Sequence, residues 1–242
     1  MRQLVIPILL LMLLCFHCSA PTSTSSMFER EQSSQSATST STNDQTKQTF
    51  SEFAVMDDSL SRTLRQHCSL WLNSWERSLR TDSFAFVRNY TSPLPANWEK
   101  FDISDQHFSD YRDKIYYSPN GSYALDLYSY NLIINRKNDK IYAELDLDIQ
   151  VYVIDIPRHQ RHPILFVGPS ESIDDGYWLS DSTVVLVGWE RCCDCPEETY
   201  WPNVCKLNVF TGETVHYNYN ATFSQYNKSF LKKKFPEIIF DF

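Results

Sequence analysis

From residue 114 to residue 219 the chain repeats one local pattern: a short run of β-branched and aromatic residues, then a cluster of turn formers. KIYY and YALDLYSYNLII flank the turn Ser118-Pro119-Asn120-Gly121, and DIQVYVIDI, HPILFVG, YWL, TVVLVGW, VCKLNVF and ETVHYNY follow at short spacing. Connections this short leave no room for the crossover helix that parallel neighbours require, so the strands must pair antiparallel. A meander, not a βαβ array, is the expected architecture. Signatures of common chemistries are missing. There is no G-x-S-x-G elbow, no H-E-x-x-H, no P-loop and no G-x-G-x-x-G, and five glycines in 242 residues argue against phosphate-cradling loops.

The pattern also repeats on a longer period. Tyr117-Ser118-Pro119-Asn120-Gly121-Ser122, followed by Ala124-Leu125, aligns with Trp178-Leu179-Ser180-Asp181-Ser182-Thr183, followed by Val185-Leu186. Val153-Ile154-Asp155-Ile156 aligns with Lys206-Leu207-Asn208-Val209. Each copy reads strand, turn, strand, long excursion, strand, turn, strand.

The Ser118-Pro119-Asn120-Gly121 turn and the Val153-Ile154-Asp155-Ile156 strand resemble pieces of TolB-type β-propeller blades. The layout YSPNGSY…DLYSYNL, with GYWLSDSTVVLVG later, is similar to that of uncharacterised exported proteins of Bacteroidetes-type bacteria. The resemblance spans residues 114 to 219 and implies blade-like sheets but no particular activity. Asn120 stands where the blades carry Asp, and the second copy lacks the Pro and Gly. Two blades cannot close a propeller, which needs about four or more. The expected fold is therefore mainly β: two blade-like antiparallel four-stranded meanders, left open, with an N-terminal amphipathic helix packed against them.

That helix is read from a stripe at Leu60, Leu64, Cys68, Trp71, Trp75 and Leu79, entered at Asp57, Asp58 or Ser59. A continuous stripe of this kind packs on a sheet; a ligand platform built from Trp71 and Trp75 is the sharper alternative. SPLPANW, residues 92–98, carries two prolines and reads as connecting loop.

The first twenty residues, MRQLVIPILLLMLLCFHCSA, place Arg2 before an apolar run too short to span a bilayer. They fit a secretory leader. Cleavage after Ala20 is one route; acylation of Cys18 as in a bacterial lipoprotein is the other, although Cys15, Phe16 and His17 match poorly the small residues usual before such a cysteine. The Ser, Thr and Gln of residues 21–49 have almost nothing to bury and suit a disordered tether. A tether directly behind Cys18 favours the lipid anchor, with plain secretion as the alternative. The expected organisation is 1–18 leader, 19–51 tether, 52–113 helix and connecting loop, 114–220 β-domain, and 221–242 tail. The net charge of −8 argues against nucleic acid, since phosphate binding draws on Lys and Arg. The Lys232-Lys233-Lys234 run reads as a solvated helix end, and Arg158 to His162 as a solvated basic hairpin tip.

Two clusters could carry chemistry. Cys192, Cys193, Cys195 and Cys205 crowd into fourteen positions. Adjacent cysteines suit tetrahedral zinc poorly. Cys192 and Cys195 have the C-x-x-C spacing of a thiol-redox motif, but the Pro196-Glu197-Glu198-Thr199-Tyr200-Trp201-Pro202 that follows is too short for the helix such a motif wants. In an exported chain the plain reading is a disulfide staple. Cys205, at the start of the return strand, is expected to pair with a loop cysteine, leaving Cys68 unpaired. The second cluster, Asp174-Asp175, could serve acid–base chemistry or bind calcium. The plainer reading is a strand-entry turn with solvated acids. Asp146 and Asp148 read as charges on an exposed strand edge. No metal or cofactor is expected. The functional expectation is a non-enzymatic envelope protein presenting its β-domain to a protein or glycan. The alternatives are a hydrolase using acids such as Asp174 and Asp175 in a cleft, and a cysteine-centred metal or thiol site.

Overall fold

The apolar stripe that opens the domain folds as two helical pieces rather than one. In the structure, a computed structural model, α1 (Asp58–His67) starts at Asp57, whose carboxylate accepts a hydrogen bond from Leu60 N at 2.8 Å. It stops at Cys68, and α2 (Ser69–Leu72) adds one turn. All six stripe residues are buried all the same, because the turns after Leu72 keep Trp75 and Leu79 against the same sheet. The structure describes residues 55–94, 97–193, 195, 198–225 and 229–240. The expected leader, Cys18 and the whole of the expected tether lie outside the described residues. No helix among the described residues is long and apolar enough to cross a membrane.

Residues 83–113, expected as a connection, contain two edge strands, β1 (Phe84–Thr91) and β2 (Glu99–Lys100). β1 buries only its first residue, so its sequence shows no alternation to read. The first meander consists of β3 (Tyr116–Tyr117), β4 (Tyr123–Asp126), β7 (Ile149–Asp155) and β8 (Gln160–Val167). Between β4 and β7 the excursion folds into a hairpin, β5 (Leu132–Lys137) and β6 (Lys140–Leu145). Its turn residues Asn138 and Asp139 both have positive φ, as a two-residue type I′ turn requires. The second meander is β9 (Glu171–Ser180), β10 (Thr183–Arg191), β11 (Tyr200–Asn208) and β12 (Glu213–Tyr219). The chain finishes with α3 (Ser229–Lys234) and β13 (Ile238–Phe240), which pairs parallel to β6.

The fold is mainly β, with open antiparallel sheets. The first sheet runs β2-β8-β7-β4-β3, the second β1-β12-β11-β10-β9, and a third, small one β13-β6-β5. Each meander thus gains one edge strand from the 83–113 region. The middle of β10, in the second sheet, is buried on both faces. Val184 and Leu186 pack toward Leu125, Val151 and Val153 of the first sheet, whereas Val185 and Val187 pack under Leu64, Trp71 and Phe84. A strand covered on both sides reads as an unbroken apolar run, which is why TVVLV shows no alternation.

Equivalent residues of the two copies meet. Asn120 N donates to the Asp181 carboxylate at 2.9 Å, joining the two first turns. Leu125 and Leu186 converge over Gly176, where a Cβ would lie 2.9 Å from Leu186 Cδ2 and 3.4 Å from Leu125 Cδ2.

Candidate functional site

The two excursions, one from each meander, flank a cleft of about 700 Å³. The first contributes Tyr128, Asn131 and the 144–147 segment; the second contributes Glu198, with Arg191 and Tyr200 at the strand ends beside it; the start of β9 forms the floor between them. A β-bulge shapes this floor. Val187 pairs with Asp175 and Gly188 with Ile173, so Asp174 is the extra residue on β9. The bulge depends on Gly188, because a Cβ there would stand 1.8 Å from Ser172 O. Bulges re-aim side chains, and this one turns Asp174 into the wall of the cleft.

Asp174 is buried and doubly held. Trp71 Nε1 donates to its Oδ2 at 2.9 Å, and Ser172 Oγ donates to its Oδ1 at 3.0 Å. Tyr128 OH donates to its backbone carbonyl at 2.9 Å. Both side-chain bonds favour the carboxylate, but desolvation outweighs them and pushes the pKa up to about 7. Glu171, on the same cleft, is also raised, first by burial and then by Glu190 directly opposite it on β10. A carboxyl that holds its proton near neutrality can donate as well as accept, and it can transfer a proton.

The neighbouring acid does different work. Asp175 Oδ1 accepts from Tyr116 OH and from Lys234 Nζ, each at 2.7 Å. The group is buried and ties β3, β9 and α3 together. The expected solvated strand-entry turn is therefore corrected: both acids are buried in mid-strand, because β9 begins at Glu171, well before the recognisable YWL run. They do not form a pair around one atom either; one lines the cleft and the other anchors the C-terminal helix. Lys234 departs from the solvated helix end for the same reason. At the basic hairpin tip Arg158 and His159 are exposed, as expected, whereas Arg161 and His162 on β8 are partly or wholly buried. Arg161 pairs with Glu99 and lies over the rings of Phe101 and Tyr152, and Arg158 pairs with buried Asp155.

Among the cysteines, Cys192 and Cys195 stand at disulfide distance, S–S 1.97 Å. The expected bridge from Cys205 is corrected. β11 begins at Tyr200 rather than at Cys205, so Cys205 lies well inside the strand, opposite Leu186 and His216. There it faces the inter-sheet core, and burial pushes its thiol up to about 12. Cys68 is buried and unpaired as expected, and Cys193 is exposed and unpaired. Two of the four sulfurs that a thiolate metal centre would use are thus joined, and a third faces away. Among the described residues no three His, Cys, Asp or Glu side chains gather in a metal-binding group.

Sequence reasoning singled out Asp174 but missed Glu171, Asn131 and Trp189. It placed Asp146 on a strand edge, whereas Asp146 sits in the β6–β7 connection at the cleft. Acids clustered as ESIDD were the available signal for Glu171; nothing local marks Asn131. Comparison with protein-family models, curated proteins and solved structures finds no match to this chain.

Proposed function

We propose that this chain is an exported, non-enzymatic binding protein of the cell envelope, held by lipid on Cys18, whose cleft takes part of a protein or glycan partner. The observation that carries the reading is the cleft itself: about 700 Å³, inside the range of small-ligand sites, with acids and rings on its walls. Trp189 and Tyr200, with ring centroids 5.0 Å apart, offer aromatic surface, and the carboxylates offer acceptors to a sugar or a peptide segment. The leader-like run and the polar tether support export and anchoring. The TolB-like turn and strand support a scaffold that presents loops rather than enclosing a channel. The test is a thermal-shift screen of the export-processed protein against glycans and peptides, with its intact mass. A ligand should raise the melting temperature without being consumed, and the mass should include acyl chains. A screen in which no ligand shifts the melt would sink the cleft reading; a chain beginning after Ala20 without lipid would replace anchoring by secretion.

One observation favours a second reading, a hydrolase. Asp174, with its pKa near 7, and raised Glu171 line the same cleft, and such a group is suited to general acid chemistry. Product release from any ligand in the screen, abolished by Asp174→Asn while binding persists, would establish it in place of the first.

A further inference from the structure

A second cavity, of about 410 Å³, shares no lining residue with the cleft. It lies on the second sheet, where β1, β10, β11 and β12 all contribute to its lining. The cation of that lining is Lys206 on β11. Directly opposite it stand Val185 on β10 and Val215 on β12, so the lysine rises between two valines on one face of the sheet. Lys206 is half-buried, and among the described residues no carboxylate lies within salt-bridge distance of its Nζ. A charge drawn out of water calls for a partner, and the cross-strand neighbour is a usual place for one. Here both neighbours are apolar.

The groups around Lys206 are amides and hydroxyls. Asn208 Oδ1 already accepts from Phe210 N at 3.0 Å and Thr211 N at 3.1 Å, which leaves the amide NH₂ to donate. Thr183, directly opposite Asn208, adds a hydroxyl, and Asn89, directly opposite Val215, adds a second amide. The acid of the lining, Glu213, is engaged by its own hairpin, where Thr211 Oγ1 donates to its Oε2 at 3.2 Å. In a chain of net charge −8, this cavity gathers a cation without a counterion beside groups that bind hydroxyls. A cationic ligand would meet Lys206. A neutral polyol would leave the lysine uncompensated. A bare phosphate would use Lys206 but not the amide- and hydroxyl-lined remainder of a space that falls within the range of small-ligand sites.

We propose that this cavity binds an acidic sugar, with its carboxylate on Lys206 and its hydroxyls on Asn89, Thr183 and Asn208. The site is separate from the cleft and stands whether or not the cleft takes a ligand. Lys206 supplies a charge-assisted hydrogen bond, the stronger kind. Thr183 and Asn208, side by side on β10 and β11, select for hydroxyls beside the charge.

The experiment is an NMR titration of the ¹⁵N-labelled, export-processed chain with glucuronic acid, beside glucose and inorganic phosphate. Glucuronate should move the amide signals of Thr183, Lys206 and Asn208 saturably, and glucose should not. Lys206→Met should weaken glucuronate by about tenfold or more, with unchanged circular dichroism, since an apolar side chain suits the place between the two valines. Lys206→Arg keeps the charge and should bind more nearly like the parent. Thr183→Val should weaken binding less than Lys206→Met does. Lys140→Met, at an exposed lysine outside the lining, should leave binding intact. Glucose binding as well as glucuronate, or glucuronate binding unaffected by Lys206→Met, would overturn the proposal. Phosphate binding with none of glucuronate would make the cavity a plain anion site and overturn the sugar. Glucuronate shifts confined to Glu171 and Arg191 would move the ligand to the cleft, which overturns this site and supports the cleft reading. Silence from all three probes would remove the site and leave the cleft reading untouched.

Discussion

The two meanders share a scaffold and differ in what each inserts between its second and third strands. The first inserts residues 127–148, long enough to fold a hairpin, recruit β13 and bury Leu132, Ala143, Ile238 and Phe240. The second inserts residues 192–199, too short for a core of its own, with the Cys192–Cys195 pair joining its first four residues. In the repeated parts, equivalent residues meet: Asn120 with Asp181, and Leu125 with Leu186 over Gly176. The first excursion and, beside the strand ends Arg191 and Tyr200, the second flank the cleft. Repetition builds the sheets, and the departures from repetition build the site.

This comparison breaks most visibly in the shared core. Leu125 and Leu186 are both fully buried in one cluster. Leu125→Ala and Leu186→Ala should each lower unfolding stability by about 2–5 kcal/mol in urea titration. Because both side chains approach Gly176, the double variant should lose less, or more, than the sum of the singles. A near-neutral Leu125→Ala, or strict additivity, would mean that the meanders are two cores placed side by side.

The next effect belongs to the cleft. Asp174 titrates near 7 in the folded chain and near 3.8 in the unfolded one. Between those values the folded state keeps a proton that the unfolded state has released. Stability therefore falls as pH rises from about 4 to about 7 and levels off above that, by on the order of 4 kcal/mol at most. Asp174→Asn removes this slope. Its amide oxygen can still accept from Trp71 Nε1 and its NH₂ can donate to Ser172 Oγ. The variant should be more stable than the parent at pH 8 and similar to it at pH 4 in paired denaturation curves. Parallel curves at both pH values would show Asp174 to be ionised and hydrated, and the cleft wall to be wetter than its burial implies.

The scaffold was legible in the sequence, and the site was legible only in part. Turn residues and β-rich runs gave the two meanders, their excursions and the buried stripe from Leu60 to Leu79, because local rules govern each of these. β1 stayed hidden because its edge position removes the alternation that marks a strand. β9 was recognised only at its Tyr177-Trp178-Leu179 end, so Asp174 and Asp175 were read as a turn. The bulge that separates their roles is set by Gly188 meeting Ser172 across the sheet, a contact that no local pattern contains. Asn131 belongs to the same class: its place at the cleft is fixed by a hairpin packed against another repeat. Cys205 was misplaced by one error of boundary, since moving the strand start to Tyr200 turns a loop cysteine into a core one.

The smallest expected effect tests the second excursion. A bridge between Cys192 and Cys195 closes a ring of four residues, which by chain entropy contributes only about 2 kcal/mol. Cys192→Ser with Cys195→Ser should lower stability by that amount or less. The loss should also be local. Amide exchange should rise at the β10 and β11 ends, where Cys192 N donates to Thr199 O, and remain unchanged in β4 and β7. The first excursion needs no such bond, because its hairpin carries its own ladder and buried side chains. Exchange that rises equally in both meanders would mean that the pair staples the whole fold rather than one wall of the cleft. In that event the short excursion, not the shared leucines, would hold the two copies together.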